Sequence, residues 1–452
     1  MPVWSFYESG GIVKQLMDFT ARILIVTHGD GVVFEAAGRL NRAGLSTVQA
    51  RTHEEAGIAA ADFTVEGVVI DAQDRSFEDT VTLAKHLKAI AGERPLPILV
   101  VADIDESTPG EEFFASVLRP PVHPAQLEAR LQAALRVALM EEEAVQRRKT
   151  VVALGQGDLQ PGAQTPDAGA LSILFVGAAA PQFIALKNAL EQAGAEVTAA
   201  MTSFTAFDYL HDRSFDAIVL NALGENEPAF TIVAAMRRNT RLFHVPAILL
   251  VNSNSFTDVD EAYARGASDL LDASVDEADS RQRILGLARE RQRHEQTKAL
   301  FEGVRTAAVV DKDTGLFNPS FFARHLGRMT RRACEINRPL ALAVIRAAAP
   351  PDIEKVYRES AQRQLGGMLR HLVRAEDMAS RLGTGAFAIV MPGTTKAASQ
   401  IAANRIESVI DCTAFESGNE DRPFQLELET RVVELRARES SEGLLQRALD
   451  ED

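Results

Sequence analysis

The feature that most constrains the fold of this chain is an alternation of short apolar runs with amphipathic segments, which begins at Ala21. The runs "RILIV", "GVVID" and "PILVV" are rich in Ile, Val and Leu, and the segments between them repeat apolar residues at helical spacing. Apolar strands that alternate with helices are typical of a parallel sheet covered by helices on both faces. The sequence therefore predicts a doubly wound, parallel-sheet α/β domain over residues 21–145.

The same pattern occurs a second time. The runs "LSILFV", "FDAIVLNAL" and "VPAILLVNS" repeat the first series and predict a second, tandem α/β domain over residues 171–294. Between the two domains, residues 146–170 include a stretch rich in Gly, Pro, Gln and Ala, which predicts a linker. Residues 1–20 are treated as an N-terminal extension, for which we predict no folded structure.

Composition excludes several classes of protein. The 452 residues fit about three domains, and a net charge of −15 argues against a nucleic-acid-binding protein. Cys334 and Cys412 cannot form a disulfide framework, and they fit a reduced cytoplasm. No apolar run approaches the roughly 18–20 residues that a membrane span needs. We expect a cytoplasmic protein without membrane insertion.

Polar and apolar residues are mixed at the predicted strand ends of the first domain. The positions of interest are Thr27 and His28 after the first strand, Asp71 at the end of the third, Ala102 after the fourth and Arg119-Pro120 after the fifth. This repeat resembles the flavodoxin-like receiver domain of response regulators, in which an acid pair holds Mg²⁺ beside a phosphoacceptor Asp. The resemblance implies that Asp71 is the retained phosphoacceptor position in a degenerate site. We prefer a loop-capping role for Asp71, although the nearby Asp30 leaves phosphorylation open as an alternative.

The corresponding positions of the second domain contain nothing ionisable. They are Gly177, Ala178, Asn221, Val251 and Ala273-Ser274. This domain is therefore interpreted as an adaptor or a dimerisation surface without a phosphoacceptor, since a fold does not by itself imply a function. A homodimer through these two domains is one alternative for the oligomeric state.

A different unit follows a charged helical segment over residues 295–310, which we interpret as a connecting helix. Its motif "DKDTGLFNPSFFARHL" resembles the entry signature of GGDEF domains, the diguanylate cyclase fold, through Asp311, Thr314, Gly315, Leu316 and Asn318. Farther on, "RPLALAVI" predicts a core strand and "RLGTGAFAIVMPGT" predicts the family's hairpin. The resemblance implies a truncated, degenerate GGDEF domain of the nucleotide-cyclase-like α+β class over residues 311–452.

The residues that cyclase chemistry requires are replaced. Family members hold two divalent metals with an Asp at the end of the first core strand and a carboxylate in the hairpin. Here Arg346 ends the predicted strand, and the hairpin reads "GTGAF". A cation at a metal position repels the ion. We therefore expect neither bound metal nor diguanylate cyclase activity.

An Arg-x-x-Asp pair, Arg374 and Asp377, precedes the hairpin. In the family this pair forms the inhibitory site, or I-site, which binds cyclic di-GMP, and Arg405 falls where a further Arg completes it. Arg pairs with phosphate or guanine oxygens, and Asp accepts from guanine N–H groups. The alternative is a solvated local ion pair. A second pair, Arg213 and Asp216, is interpreted as loop chemistry.

The domain order resembles the PopA-type effectors, cyclase-inactive relatives of PleD-type proteins. The resemblance implies a cyclic di-GMP receptor, recruited to a cell pole, that brings protein adaptors and a cell-cycle transcription regulator to the ClpXP protease. Two alternatives stay open. One is a ligand-independent scaffold of inactive domains, and the other is a regulator controlled by phosphorylation of Asp71.

Overall fold

The computed structural model describes residues 22–29, 31–73, 75–104, 108–155, 169–224, 226–239, 241–252, 259–418 and 422–450. The chain divides into two compact units. The first contains the described residues of 22–138 and 169–296, and the second those of 139–155 and 297–450. None of the helices in these ranges is both long enough and apolar enough to cross a membrane. The predicted N-terminal extension, residues 1–20, lies outside the described residues.

The first unit opens with a parallel sheet of five strands. They are β1 (Arg22–Val26), β2 (Ser46–Ala50), β3 (Gly67–Asp71), β4 (Ile98–Val101) and β5 (Ser116–Leu118), in the spatial order β2-β1-β3-β4-β5. The helices are α1 (Val32–Arg42), α2 (His53–Asp62), α3 (Phe77–Ala91) and α4 (Pro124–Ala153). This order and parallel pairing confirm the predicted doubly wound, flavodoxin-like fold.

The continuous apolar runs of β1 reflect burial on both faces of the sheet. Leu24 and Val26 pack in a core with residues of α2 and α3, whereas Ile23 and Ile25 pack in another core with residues of α1 and α4. All four side chains are fully buried. A strand covered on both faces has no polar side, which is why its sequence shows no alternation.

A second parallel sheet repeats this arrangement. Its strands are β6 (Ser172–Val176), β7 (Glu196–Ala200), β8 (Ala217–Asn221), β9 (Ala247–Val251) and β10 (Asp269–Asp272), in the order β10-β9-β8-β6-β7. The helices are α5 (Pro181–Gln192), α6 (Ser203–Asp212), α7 (Glu227–Arg238), α8 (Val259–Ala264) and α9 (Glu277–Val304). The prediction of two tandem parallel sheets is therefore confirmed.

The second unit is built on an antiparallel sheet with helices on both faces. Its strands are β11 (Leu340–Ala348), β12 (Met378–Gly383), β13 (Ala386–Pro392) and β14 (Glu427–Glu434), in the order β12-β13-β11-β14. The helices are α10 (Pro319–Ile336), α11 (Lys355–Leu372), α12 (Lys396–Asp411) and α13 (Ser441–Leu449). One core lies against α10 and α13, and the other against α11 and α12. The predicted hairpin is the β12–β13 pair.

Helix α4 corrects the predicted linker. The helix continues without a break to Ala153, so the prediction of a linker was wrong for residues 146–153. The helical segment persists because Met140, Arg147 and Val151 are buried at helical spacing within the second unit. Residues 156–168 of the predicted linker lie outside the described residues.

The connecting helix and the core strand agree with prediction except at their ends. Helix α9 continues from the second sheet's unit as expected, but it ends at Val304 instead of residue 310. Strand β11 continues beyond Arg346 to Ala348, because Ala347 and Ala348 still pair with β14. Arg346 therefore lies within the strand and not at its end.

Candidate functional site

The turn that carries Arg374 and Asp377 joins α11 to β12. The carboxylate oxygen Oδ2 of Asp377 accepts a hydrogen bond from the backbone N–H of Arg374 at 3.0 Å, and the N–H of Asp377 donates to the Arg374 carbonyl at 3.2 Å. Asp377 is only 9% exposed, whereas Arg374 is exposed. The pair is therefore not a solvated ion pair, because the carboxylate caps its own turn. The two side chains also differ in exposure.

The carboxyl group of Asp377 titrates near neutrality. Burial raises its pKa to about 7, and repulsion by the neighbouring Glu376 acts in the same direction. The N–H and the charge of Arg374, and the charge of Arg147, oppose this rise. A carboxyl group in this range changes its charge within the physiological span of pH.

Arg147 of α4 contacts the same turn from the protein interior. Its Nη2 donates to the carbonyl oxygens of Glu376 and Asp377, both at 2.9 Å, and its Nε donates to Oε1 of Glu143 at 2.8 Å. Only 2% of Arg147 is exposed. The turn is thus held by a side chain distant in sequence, which the sequence did not indicate.

Glu143 joins Arg147 to His325 of α10. The same oxygen, Oε1, lies 2.8 Å from Nε of Arg147 and 2.7 Å from Nε2 of His325, whose side chain is fully buried. Burial alone would raise the pKa of Glu143, but the charges of His325 and Arg147 and their hydrogen bonds hold it below its usual value. Glu143 is therefore an ionised carboxylate between two donors.

Arg405 reaches this part of the chain from α12. Its Nη2 donates to the carbonyl of Leu372 at 3.1 Å, two residues before Arg374. Arg405 is exposed, as Arg374 is. The three predicted ligand-binding residues therefore meet at one short segment, Leu372–Asp377. Arg405 contacts the start of this segment, and the other two residues belong to it.

The hairpin beyond the turn keeps its shape without a carboxylate. Thr384 and Gly385 connect β12 to β13, and Gly385 has a φ of +68°. A Cβ at Gly385 would lie 2.7 Å from the Ala347 carbonyl oxygen. The glycine is therefore required both by the backbone conformation and by the close approach of β11.

Arg346 lies opposite the start of β13, in register with Ala386. Its Nη1 is 3.4 Å from the carboxylate of Glu429 on β14, and Nη2 donates to the Leu449 carbonyl. Across the described ranges, no three or more His, Cys, Asp or Glu side chains are grouped so that they could hold a metal ion. The position predicted to lack a metal-binding carboxylate is occupied by an Arg that contacts protein groups.

Asp311 of the entry motif connects its own turn to strand β12 through hydrogen bonds. Oδ1 of Asp311 accepts from the N–H and the hydroxyl of Thr314, at 3.0 and 2.7 Å, and from Nη1 of Arg381 at 3.2 Å. Asn318 caps α10 by accepting from the N–H of Phe321 at 2.9 Å. These motif residues have structural roles, because each one satisfies backbone or charged groups at an element end.

The predicted phosphoacceptor position, Asp71, lies at the end of β3 as expected. Its Oδ1 accepts from the backbone N–H and the side chain of Gln73, at 3.3 and 3.2 Å, and its Oδ2 is 3.4 Å from the Thr27 hydroxyl. This geometry is that of a loop-capping Asp. Asp30 lies outside the described residues. In the second sheet, Asn221 donates to the Ala178 carbonyl at 2.6 Å.

The second Arg-x-x-Asp pair differs from the first. Asp216 accepts from the backbone N–H of Ser172 at 2.8 Å, and Arg213 donates to the Thr198 hydroxyl at 2.9 Å and lies over the rings of Tyr209 and Phe215. Both residues therefore make structural contacts at loop and strand ends of the first unit. This agrees with the interpretation of the pair as loop chemistry.

Glu143, Arg147 and His325 are the residues that the sequence did not single out. A Glu and an Arg four residues apart on a charged helix are typical of a solvated pair on the helix surface. The one available signal is that Met140, Glu143, Arg147 and Val151 share a helix face on which two members are apolar. That signal does not tell which element covers the face.

Comparison with known proteins shows what parts of this chain are similar to. Residues 308–451 match the family model described as "Diguanylate cyclase, GGDEF domain". The response regulator PleD of Caulobacter vibrioides is 22% identical over 204 residues, which are 44% of this chain and 45% of PleD, so the match spans just under half of that relative. Residues 308–451 are thus similar to GGDEF domains, and the chain is similar in part to a response regulator.

Two solved structures are similar to part of this chain. The FimX GGDEF domain from Pseudomonas aeruginosa is 26% identical, with 31% of this chain and 88% of that chain covered and a TM-score of 0.29. The GGDEF domain of DgcB from Caulobacter crescentus, solved in complex with c-di-GMP, is 19% identical, with 32% and 85% covered and a TM-score of 0.29.

Proposed function

We propose that the chain is a cyclic di-GMP receptor without diguanylate cyclase activity, and that Arg374, Asp377 and Arg405 bind the dinucleotide. The observation that carries the proposal is the hydrogen bond from Arg405 to the Leu372 carbonyl at 3.1 Å. It supports a binding site around one turn, because it holds a second exposed Arg at Leu372, two residues before Arg374. The match to the GGDEF family supports cyclic di-GMP signalling as the setting.

The chemistry of these side chains suits the ligand. Each guanidinium offers a planar set of donors that pairs bidentately with phosphate oxygens or with O6 and N7 of guanine. An ionised Asp accepts from the N1 and N2 hydrogens of guanine. Since Asp377 is nearly buried and accepts from the N–H of Arg374, we expect guanine to share or replace that hydrogen bond when it binds.

The absence of cyclase activity is proposed from the replaced metal positions. Arg346 adds a positive charge opposite the hairpin, and Thr384 and Gly385 provide no carboxylate there. Divalent metals need carboxylate oxygens at such positions, and a cation nearby disfavours their binding. We expect no cyclic di-GMP from GTP in the presence of Mg²⁺ or Mn²⁺. Turnover of GTP by the purified chain would overturn this part of the proposal.

Calorimetric titration with cyclic di-GMP tests the site. The wild-type chain should bind, Arg374→Ala should abolish the heat, and Arg405→Ala should weaken binding by at least tenfold. Arg213→Ala is the matched control, because it removes the Arg of the other Arg-x-x-Asp pair. Binding that survives in Arg374→Ala would refute the site assignment.

We also propose, from the resemblance to PopA-type effectors, that the bound receptor acts in the cytoplasm at a cell pole. There it would recruit protein adaptors and deliver a cell-cycle transcription regulator to ClpXP. A fluorescent fusion carrying Arg374→Ala and Asp377→Ala should lose polar foci, while the wild-type fusion keeps them. Undiminished foci in the double variant would favour a ligand-independent scaffold.

A further inference from the structure

We propose that the end of α4, residues 139–153, is a supporting element of the ligand-binding turn, with Arg147 as the positioning residue. The inference rests on the proposed function, because it concerns the same turn. It assigns a role to a helix segment that lies far from the GGDEF family match in sequence.

The backbone of the turn accepts two hydrogen bonds from Arg147. Successive carbonyl groups of an extended strand point in opposite directions, but those of Glu376 and Asp377 both accept from Nη2 of Arg147 at 2.9 Å. Both residues are buried. Buried carbonyl groups need a hydrogen-bond partner, and Nη2 of Arg147 donates to both of these. The paired bonds therefore hold the turn from its inner side, opposite to the exposed Arg374.

Arg147 is itself fixed on all sides. Its guanidinium lies over the ring of Phe301 at 4.5 Å and that of Phe317 at 5.5 Å from the ring centroids. Phe317 pairs with β12, because its N–H donates to the Ala379 carbonyl at 3.1 Å and its carbonyl accepts from Arg381. The aromatic rings exclude water and add a cation–π attraction. The guanidinium thus has little freedom to leave the turn.

Hydrogen bonds join Glu143 and His325 to this network. The Thr150 hydroxyl donates to the Gln146 carbonyl at 3.0 Å and lies 2.9 Å from Nδ1 of His325. Nε2 of His325 lies 2.7 Å from the carboxylate of Glu143. Oε1 of Glu143 also accepts from Nε of Arg147 at 2.8 Å, so one oxygen links the two side chains.

The experiment compares Arg147→Lys, Arg147→Met and Glu143→Gln with Arg148→Ala as the matched control. Arg148 is the next residue of the same helix and is exposed. Each full-length variant is first checked for wild-type secondary structure by circular dichroism. Amide hydrogen exchange of residues 374–378 in the unliganded chain then reports the turn, and calorimetry with cyclic di-GMP reports binding.

We expect faster exchange in the turn and at least tenfold weaker binding for Arg147→Met and Glu143→Gln, with a smaller effect for Arg147→Lys. Arg148→Ala should match the wild type in both measurements. Wild-type affinity in a folded Arg147→Met chain would overturn the inference, as would wild-type exchange in the turn. If the wild type itself fails to bind cyclic di-GMP, the proposed function falls, and the exchange comparison alone decides whether Arg147 supports the turn.

Discussion

The carboxylate of Asp377 accepts a hydrogen bond of 3.0 Å from the backbone N–H of Arg374, the other member of the predicted ligand-binding pair. The two residues are thus joined through the backbone of one and the side chain of the other. The guanidinium of Arg374 stays exposed and available for a ligand. We therefore expect the charge of Asp377 to affect both the stability of the turn and its affinity for the ligand.

Affinity for cyclic di-GMP should rise as pH increases through about 7. Burial raises the pKa of Asp377 to about 7, and the charged groups that face it are Glu376, Arg374 and Arg147. Guanine N–H groups are best accepted by the ionised carboxylate, which forms above that pH. Calorimetry at pH 6 and pH 8 should show tighter binding at pH 8. Equal affinity at both values would contradict an ionised Asp377 as guanine acceptor.

Asp377→Asn should stabilise the unliganded chain more at pH 8 than at pH 5. The folded-state pKa of Asp377 lies above that of an unfolded Asp, so between about pH 4 and pH 7 the folded protein holds a proton that the unfolded chain has released. The free energy of unfolding contributed by Asp377 therefore falls as pH rises, by at most about 1.4 kcal/mol per pH unit. An amide keeps an acceptor for Arg374 and does not ionise.

Denaturant unfolding of the wild type and of Asp377→Asn at pH 5 and pH 8 measures this difference. Comparing the two proteins at each pH removes the contribution of other titrating groups. A difference in stability that is the same at both pH values would show that Asp377 ionises normally in the folded chain.

Gly385→Ala should destabilise the hairpin by roughly 1–3 kcal/mol, since a residue with a side chain is strained at positive φ and crowds the backbone here. The φ of +68° and the 2.7 Å approach to the Ala347 carbonyl oxygen both act against a Cβ. Gly383→Ala is the matched control, because a Cβ there meets nothing within 4 Å. Thermal unfolding should separate the two variants, and a similar melting temperature for both would contradict the close approach.

Arg381→Ala should lower the free energy of unfolding by roughly 1–3 kcal/mol, because it leaves the partly buried Asp311 without its charged donor. Nη1 of Arg381 lies 3.2 Å from Asp311 and 3.1 Å from Asp313. Arg363→Ala, at an exposed position of α11, should change stability by less than about 0.5 kcal/mol. Equal midpoints of denaturant unfolding for both variants would show that the contacts of Arg381 do not stabilise the chain.

Acetyl phosphate with Mg²⁺ should not label Asp71 appreciably. Thr27 and His28 stand where a metal-binding acid pair is expected, and Gln73 already occupies Oδ1 of Asp71. Mass spectrometry of wild type and Asp71→Asn after incubation decides the matter. A phosphoryl adduct present in the wild type and absent from Asp71→Asn would support control by phosphorylation instead.

Local patterns in the sequence predicted most elements of the fold. The run Ile23–Val26 predicts a fully covered strand because every one of its side chains is apolar, and the structure buries all of them. Asn318 begins α10 through a local contact, since its side chain accepts from a backbone N–H three residues later. Gly385 likewise permits the hairpin turn through its own backbone conformation.

The environment of the candidate site was decided by tertiary structure. Nothing local distinguishes Glu143 and Arg147 from a solvated pair four residues apart, because burial depends on which element packs against the helix. The same is true of Asp377, whose burial and raised pKa follow from the packing around its turn. The sequence by itself determined the order and type of most strands and helices and which residues carry suitable chemistry, but not the extent of α4 beyond residue 145. Only the tertiary structure decided which of those residues are buried, which charges face them and which distant helix supports the turn, because burial and electrostatic interaction act between segments far apart in sequence.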